Sequence, residues 1–346
     1  MYLSLYLNRS LVVIISTLAL FVLSGCEKKQ SITKLSGAAQ GTTWHISYWS
    51  EEEINTQNLQ QELDAELARI DSVLSNYRDD SIISKVNSSH DTTAIKADAE
   101  LIYLIEEARK VHSASQGCYD LTIQPLFALW GFSDKALHIP SDAELSEAMY
   151  SIGMEKIQTH ESFIQKQYEK VHIDISSIGQ GYSVAKLAEL LENLDIKNYL
   201  VEIGGELQTR GQKPQQQPWQ IAIERPLPEA QGFQKVITIG THAPTSVMTS
   251  GTYRHYYDDS GKRYSHILDA RTGYPVSHST VSVTVIHENP TIADAWSTAL
   301  LCLGTEEGLK IAEENKLSVF FIDQNKIGIE ETSSSLFRNM HDITVK

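Results

Sequence analysis

The chain has 346 residues, of which 41% are hydrophobic and 21% are charged, and its formal net charge at pH 7 is −15. This composition is typical of a folded globular protein and excludes a collagen-like or low-complexity chain. The excess of acidic residues argues against nucleic acid or an anionic lipid headgroup as a partner of the folded part, because like charges repel.

The first 25 residues have the pattern of a secretory signal peptide. A single basic residue, Arg9, precedes an apolar run at 11–22 that is too short to span a bilayer. The run ends in a segment that resembles a bacterial lipobox, in which the final cysteine carries diacylglycerol: Leu23-Ser24-Gly25-Cys26. A plain signal peptide with a chance cysteine is the alternative.

These features predict three segments: a lipoprotein signal peptide at 1–25, a polar lipidated tether at 26–36 and one folded domain at 37–346. No stretch of the third segment has the composition of a domain linker. A lipid on Cys26 would hold the protein on the membrane without a transmembrane helix.

In the folded part, hydrophobic periodicity predicts helices mixed with strands. Apolar residues recur at helical spacing in 59–74 and 99–113, and Ser141 with Glu144 forms the capping-box signature of another helix start. Because the elements do not alternate as regular βαβ units, the pattern favours an α+β fold with mixed, largely antiparallel sheets over a doubly wound sheet. We predict further helices at 182–194, 291–303 and 305–315, and strands at 42–48, 163–167, 170–175, 199–203, 219–224, 233–239, 252–257, 263–268, 280–287 and 318–323.

Two cysteines remain after Cys26, and two cysteines in an exported protein could pair. One of them, Cys302, lies in the apolar helical run 299–303, where a buried free thiol is the ordinary occurrence. We therefore expect no disulfide between Cys118 and Cys302.

Asp294 and Thr298 stand four residues apart in a predicted helix and therefore lie on one face within a turn. Carboxylate and hydroxyl oxygens are ligands that magnesium prefers, and two protein ligands leave room for phosphate oxygens and water. Taken alone, such a pair is more often structural, because an acid near a helix start complements the helix dipole and a threonine bonds back to the preceding turn.

The segment 174–182 leads from an extended run through small residues and two glycines into a helix. This arrangement exposes backbone N–H groups at a helix start, where an anion such as a diphosphate can bind. The segment is neither a Walker A motif nor a dinucleotide-binding fingerprint, and a tight turn before a helix is the alternative.

Two further turns carry candidate functional groups. His266 and Asp269 precede the turn at 271–275 and could form a base with its orienting carboxylate, although such pairs are more often structural. Aromatic residues surround glycine turns at 116–120 and 130–132, where they could stack on adenine or isoalloxazine or else belong to the core.

Taken together and in order, these segments resemble the ApbE family, the FAD:protein FMN transferases. The resemblance extends from Gly41 to the final strand, over nearly all of the chain that follows the leader. The motifs that carry it are Ser75-Asn76-Tyr77, Gly117-Cys118-Tyr119-Asp120, Leu129-Trp130-Gly131-Phe132, the segment 174–182, Gly204-Gly205, Pro218-Trp219, Thr249-Ser250-Gly251-Thr252-Tyr253, the segment 266–269, Thr272-Gly273-Tyr274-Pro275, the segment 282–285 and the segment 293–298.

The resemblance implies a reaction and a place in the cell. Such enzymes bind FAD and Mg²⁺, attach FMN through a phosphoester to a threonine or serine of a target protein, and release AMP. Their usual acceptors are subunits of Na⁺-translocating NADH:quinone reductase and of Rnf-type complexes. The lipid on Cys26 would then hold this protein on the periplasmic side of the cell inner membrane.

The resemblance also implies roles for residues at matched positions. The magnesium ligands fall on Ser177, through its backbone carbonyl, and on Asp294 and Thr298. Asp294 and His266 are the expected catalytic residues, and His266 would help to deprotonate the acceptor hydroxyl. The expected contacts to the flavin nucleotide fall on Gln40, Tyr77, Cys118, Tyr119, Asp120, Asp174, Gln180 and Leu268.

Three departures from the family pattern concern the FAD contacts. Members commonly have Ala-Phe-Asp where this chain has Cys118-Tyr119-Asp120, a basic or acidic residue in place of Gln180, and a methionine near Gln40. A magnesium-dependent FAD pyrophosphatase and a non-enzymatic FAD-binding lipoprotein are the alternatives. Storage of FAD needs no metal at the diphosphate, so the intact metal ligands argue against the second of these.

Overall fold

The computed structural model describes residues 30–90, 92–226, 232–253, 255–259, 261–326 and 328–346. The predicted signal peptide and Cys26 lie outside the described residues. In the described part of the chain, no helix is long and apolar enough to cross a membrane. Residues Ile32–Lys346 form one unit.

An eight-stranded sheet, in which every neighbouring pair is antiparallel, forms the centre of this unit. Side chains alternate between the two faces of each strand, and several strands in the middle of the sheet are buried on both faces. In spatial order its strands are β1 (Thr33–Ala39), β2 (Thr42–Trp49), β6 (Asn198–Ile203), β7 (Glu206–Arg210), β10 (Thr245–Gly251), β13 (Thr280–His287), β14 (Ser318–Gln324) and β15 (Ile329–Ser333).

Three smaller antiparallel sheets complete the strands. The first consists of β16 (Ile343–Val345), β9 (Phe233–Ile239) and β8 (Trp219–Glu224). The second consists of β3 (Ile95–Lys96), β5 (Phe163–Lys166) and β4 (Ile157–His160). The third is the hairpin of β11 (Tyr256–Asp259) and β12 (Lys262–Ser265).

Two packed helices, α6 (Gly179–Asn193) and α7 (Pro290–Glu314), position the candidate site, and α7 lies on β10 and β13. Because antiparallel sheets and helices occur together, the predicted α+β fold with largely antiparallel sheets is confirmed. The other helices are α1 (Thr56–Leu74), α2 (Ile82–Ser88), α3 (Ala99–Ala114), α4 (Gln124–Leu129), α5 (Asp142–Met149) and α8 (Ser335–Arg338), with short 3₁₀ turns at Met154–Lys156 and Pro214–Gln216.

Several predicted elements are confirmed. Helix α1 buries Leu59, Leu63 and Leu67 along one face, as their helical spacing predicts. The capping box at the start of α5 is present, and β13 has the predicted bounds. The two predicted C-terminal helices form one element with non-helical backbone at Gly304, which has φ 73° and ψ 175°, so the break lies where it was predicted.

The predicted strand at 170–175 is not a strand. Its backbone does not pair with a neighbouring strand: Asp174 donates its N–H to the carbonyl of Leu121 at 2.7 Å, and the hydrogen bonds of Ile173 go to side chains. Ile173 donates its N–H to Asn87 Oδ1 at 2.8 Å, and its carbonyl accepts from Asn87 Nδ2 at 2.8 Å and from Asn76 Nδ2 at 3.0 Å. Two side-chain amides thus take the place of a neighbouring strand, and local sequence carries no signal for such a partner.

The boundary of the folded part also differs from the prediction. Strand β1 begins at Thr33, so residues 33–36 of the predicted tether belong to the sheet. This part of the chain has a polar composition, like a tether, because β1 is an edge strand that exposes every second side chain. The hairpin strands β11 and β12 are shorter than predicted. The strands that were not predicted are β1, β3, β4, β7, β10, β15 and β16.

Candidate active site

The first turns of α7 carry Asp294, which the fold buries almost completely, leaving 5% of the residue exposed. Asn289 caps the helix by accepting hydrogen bonds from the N–H groups of Thr291 and Ile292, and Pro290 occupies the first turn. Among the described residues, no lysine or arginine forms an ion pair with Asp294. Burial raises the pKa of Asp294 to about 7, against a hydrogen bond from Gly181 that lowers it.

That hydrogen bond joins the start of α6 to α7. Gly181 donates its N–H to Asp294 Oδ2 at 2.8 Å. The predicted anion site at this helix start is therefore engaged by a carboxylate of the protein itself rather than being open to a diphosphate at Gly181. Gly179 also directs its N–H inward, to the carbonyl of Ile175 at 2.8 Å.

A glycine is required at position 181 because the two helices touch there. A Cβ added to Gly181 would lie 2.4 Å from the carbonyl oxygen of Pro290 and 2.6 Å from Cβ of Asp294. Any larger residue would push α6 away from α7. The close approach is what brings the Gly181 N–H within reach of the Asp294 carboxylate.

Thr298 lies one turn after Asp294 and is half-buried. Its hydroxyl is 3.1 Å from Ser250 Oγ on β10, and Ser250 Oγ is 2.7 Å from Ser297 Oγ. The two predicted metal ligands on α7 therefore stay on one helical face, and a serine of the neighbouring strand contacts one of them.

The third predicted ligand, Ser177, lies in the turn before α6. Asp174 organises this turn, because its Oδ1 accepts from the N–H of Ser176 at 2.8 Å and from the Ser176 hydroxyl at 2.6 Å. The hydroxyl of Ser177 donates to Tyr119 Oη at 3.1 Å. The turn is thus linked to the loop at 116–120.

Tyr119 is a buried residue that contacts the turn before α6 through Ser177. Burial raises the pKa of its phenol above the usual range, and the nearby negative charges of Asp294, Asp120 and Asp174 raise it further. These three carboxylates come from three separate segments of the chain, and all of them act on the pKa of this one phenol. This excess of negative charge is suited to a cation.

Asp120 is engaged by the protein itself. Its Oδ1 accepts from the N–H and the hydroxyl of Thr122 at 2.7 and 2.6 Å, and its Oδ2 accepts from the N–H of Met154 at 3.0 Å. His112 Nδ1 is 3.3 Å from the same Oδ2, and this interaction raises the pKa of His112. These contacts hold the loop; a contact of Asp120 with the flavin nucleotide stays a prediction.

The expectation of free cysteines is wrong, because Cys118 and Cys302 form a disulfide with a Cα–Cα distance of 6.0 Å. Both residues are buried, as expected for Cys302, but burial does not distinguish a thiol from a disulfide. The bond ties the loop at 116–120 to α7. Ala270 donates its N–H to the carbonyl of Cys118 at 3.3 Å, which adds the segment of His266 and Leu268 to the same group.

The possible pair of His266 and Asp269 is not formed. Asp269 pairs with Arg271, with 2.8 Å between Asp269 Oδ2 and Arg271 Nη2. The Nδ1 of His266 lies 2.8 Å from the carbonyl oxygen of His255 instead. Because a carbonyl can only accept, the neutral ring carries its proton on Nδ1 and its lone pair on Nε2.

Of the remaining predicted nucleotide contacts, Gln40 and Gln180 lie around the start of α6. Gln40, in the turn between β1 and β2 with φ 54°, donates to Ser183 Oγ at 2.8 Å. Gln180 Nε2 lies 2.7 Å from where a Cβ of Gly204 would be. Tyr77 is 96% exposed, and its neighbour Asn76 places it beside the segment of Asp174 through the bond to Ile173.

Sequence reasoning missed two kinds of residue. Asn76 belongs to the motif at 75–77, whereas Asn87 belongs to none of the motifs. Nothing in the sequence around either residue indicates that its side chain bonds to Ile173. Ser250 lay in the motif at 249–253 without a role.

Two cavities of about 540 and 730 Å³ lie elsewhere, and neither is lined by Asp294, Thr298 or His266.

Comparison with known proteins gives a consistent result. The model of the ApbE family matches residues 40–321. The chain is 34% identical over 328 residues to a FAD:protein FMN transferase of Vibrio cholerae, covering 94% of this chain and 97% of that protein. It is 34% identical over 333 residues to a FAD:protein FMN transferase of Salmonella typhimurium, covering 92% and 94%. The structure of the flavin transferase ApbE from Vibrio cholerae superposes with a TM-score of 0.83 at 33% identity, covering 90% of this chain and 100% of that chain.

Proposed function

Since this chain belongs to the ApbE family, we infer that it is an FAD:protein FMN transferase, an enzyme that transfers FMN from FAD to a target protein. The observation that carries this inference is the match over almost the whole of both chains at 34% identity. The arrangement of Asp294, Ser177 and Tyr119 around one place in the fold agrees with it.

We propose that the acceptor is a threonine or serine hydroxyl and that AMP is the leaving group. The hydroxyl oxygen forms a bond to the phosphorus of the FMN half of FAD, and the bond from that phosphorus to the AMP oxygen breaks. AMP leaves with the electron pair. The proton of the hydroxyl goes to Nε2 of His266, whose lone pair is fixed by the Nδ1 contact with the carbonyl of His255.

The residues around Asp294 fit a divalent metal. A buried carboxylate that lacks a cationic partner among the described residues is unfavourable by itself, and its pKa is raised accordingly. Asp294, the Thr298 hydroxyl and the Ser177 carbonyl are all hard oxygen donors of the kind that Mg²⁺ prefers. When bound there, Mg²⁺ would offset the negative charge that develops on the diphosphate oxygens.

The chain's own residues then have separate tasks. Gly181 holds Asp294 in place through its N–H, so that one carboxylate oxygen is oriented by the protein and the other is available to the metal. The exposed ring of Tyr77 offers a stacking surface for an aromatic part of FAD. The disulfide keeps the loop of Tyr119 against α7.

We also propose that the enzyme is a lipoprotein anchored through Cys26 on the periplasmic side of the cell inner membrane. The leader pattern at 1–25 and the lipobox-like segment before Cys26 support this location. Acceptors in Na⁺-translocating NADH:quinone reductase or Rnf-type complexes would lie within reach of such an anchor.

One experiment tests the reaction. The chain from residue 30 onward is incubated with FAD, Mg²⁺ and an acceptor domain, and intact masses are measured. An FMN adduct on the acceptor supports the transferase. Free FMN and AMP without an adduct would indicate an FAD pyrophosphatase, and unchanged FAD would indicate a binding protein.

Asp294→Ala is the variant that tests the metal site. It should abolish turnover while the protein stays folded, as judged by circular dichroism. Ser246→Ala, a substitution on the strand that lies against α7, is a control that should retain activity. Full activity of Asp294→Ala would show that the metal assignment is wrong.

A further inference from the structure

The hydroxyl of Ser250 on β10 contacts two consecutive hydroxyls on α7. Its Oγ is 2.7 Å from Ser297 Oγ and 3.1 Å from Thr298 Oγ1. Ser297 is fully buried, and its Oγ is 2.8 Å from the backbone carbonyl oxygen of Asp294. A continuous chain of hydrogen bonds therefore runs from Thr298 through Ser250 and Ser297 to the backbone of Asp294.

The number of protons on each hydroxyl decides which group donates and which accepts in these hydrogen bonds. A carbonyl oxygen can only accept, so the single hydroxyl proton of Ser297 goes to Asp294. Ser297 must then accept from Ser250, which uses the only proton of Ser250. Ser250 can therefore only accept in its contact with Thr298, and the proton of Thr298 points toward β10.

This direction matters for a metal ligand. A hydroxyl binds a cation through its oxygen lone pairs, whereas its proton repels the cation. With its proton committed to Ser250, the Thr298 oxygen has its lone pairs directed away from β10. Ser250 is itself fixed in the sheet, where it pairs with Val283 of β13 in the antiparallel register.

We propose that Ser250 is a positioning residue that orients the Thr298 hydroxyl, so that lone pairs and not the proton face the divalent cation. The proposal rests on the metal site proposed above. Ser250 is not assigned a contact with the metal; it acts through Thr298. The same series of hydrogen bonds ends at the backbone carbonyl of Asp294, so it links both proposed metal ligands of α7 to β10.

The test measures metal binding directly, with Mn²⁺ as the probe and electron paramagnetic resonance of free Mn²⁺ as the readout. Ser250→Ala removes the acceptor of the Thr298 proton, and the freed hydroxyl can bond back to its own helix. The Mn²⁺ dissociation constant should rise about 5- to 10-fold, the equivalent of one net hydrogen bond. Ser250→Thr keeps the hydroxyl and should restore binding.

The matched control is Ser246→Ala, the same substitution four residues earlier on the same face of β10. Ser246 is buried and donates to the carbonyl of His287 at 2.5 Å, so its loss perturbs the strand without touching Thr298. Mn²⁺ binding should be unchanged in this variant. Melting curves of all variants establish that they fold.

A second comparison separates a positioning role from a direct one. Thr298→Val removes the ligand, and in this background Ser250→Ala should cause no further loss of Mn²⁺ affinity. A further loss would overturn the proposal, because Ser250 would then act independently of Thr298. In turnover assays, Ser250→Ala should raise the Mg²⁺ concentration needed for half-maximal rate while kcat at saturating Mg²⁺ is retained.

The outcomes distinguish this inference from the proposed metal site. If Asp294→Ala does not weaken Mn²⁺ binding, the metal site itself is wrong and this inference is overturned with it. If Asp294→Ala abolishes binding but Ser250→Ala behaves like Ser246→Ala, only the role of Ser250 is wrong.

Discussion

The contact between α6 and α7 at Gly181 gives a prediction whose sign depends on the tertiary structure. Gly181 lies in the first turn of α6, and replacing a helical glycine by alanine ordinarily stabilises a protein by about 0.5–1 kcal/mol. The added Cβ of Gly181→Ala would, however, lie 2.4 Å from the Pro290 carbonyl oxygen and 2.6 Å from Cβ of Asp294. Both atoms belong to the rigid part of α7, so the helices must separate.

The magnitude follows from two costs and one gain. Overpacking costs about 1–3 kcal/mol, and weakening the hydrogen bond from Gly181 to the buried Asp294 carboxylate costs up to about 1.5–3 kcal/mol. Subtracting the gain in helix propensity leaves a destabilisation of about 1.5–5.5 kcal/mol. For a folded unit of this size this corresponds to a fall in Tm of roughly 2–8 °C.

The assay is urea and thermal denaturation of Gly181→Ala against the wild type, followed by circular dichroism. Gly179→Ala is the control, because its Cβ would meet only the flexible end of Ile175, at 3.0 Å. We expect it to change the free energy of unfolding by less than about 1 kcal/mol. Gly181→Ala as stable as the wild type, or more stable, would refute the close approach of the two helices.

Three further predictions concern the disulfide, Tyr77 and His112. Reducing Cys118–Cys302, whose residues are 184 apart in sequence, should lower the free energy of unfolding by about 2–5 kcal/mol. Equal denaturation midpoints with and without dithiothreitol would contradict the bond, and the double alanine variant should not respond to the reductant. Tyr77→Ala should leave Tm unchanged, since the side chain is 96% exposed, yet raise the KM for FAD about 2- to 10-fold by loss of stacking; an unchanged KM would exclude that role. The interaction with Asp120 raises the pKa of His112, so its stabilising effect is present below the ordinary histidine pKa of about 6.5 and is lost as the pH rises through the raised value. The wild type should therefore exceed His112→Gln in stability by more at about pH 5.5 than at about pH 9, and an equal difference at both would argue against this pair.

Local patterns predicted most of the elements. The spacing of Leu59, Leu63 and Leu67 in α1 depends only on which side chains face the core, and it was confirmed. The bounds of β13 were also confirmed, although this strand is buried on both faces. The break at Gly304 followed from the same kind of reading. The segment 170–175 misled the prediction because alternation of polar and apolar residues does not reveal whether the backbone partner is a strand or, as at Ile173, the amides of Asn76 and Asn87.

At the candidate site, too, the sequence predicted some features correctly and not others. Asp294 and Thr298 share a helical face by spacing alone, and the order of the motifs was sufficient to assign the family. The pair of His266 and Asp269, which the sequence offered as one possibility, is not formed, because Arg271, two residues from Asp269, pairs with that carboxylate. Proximity in sequence identified a plausible partner but not the stronger one.

What the sequence by itself determined was therefore the class of fold, the family and the residue types at the site, since these depend on periodicity and on motifs read along the chain. Only the tertiary structure decided that Cys118 bonds to Cys302, that Gly181 holds Asp294, and that Ser250 meets Thr298. Each of these contacts joins segments that are far apart in sequence. Each forms only because the packing of the fold brings the two segments within bonding distance. The chemistry proposed for Asp294 and Thr298 rests on those contacts.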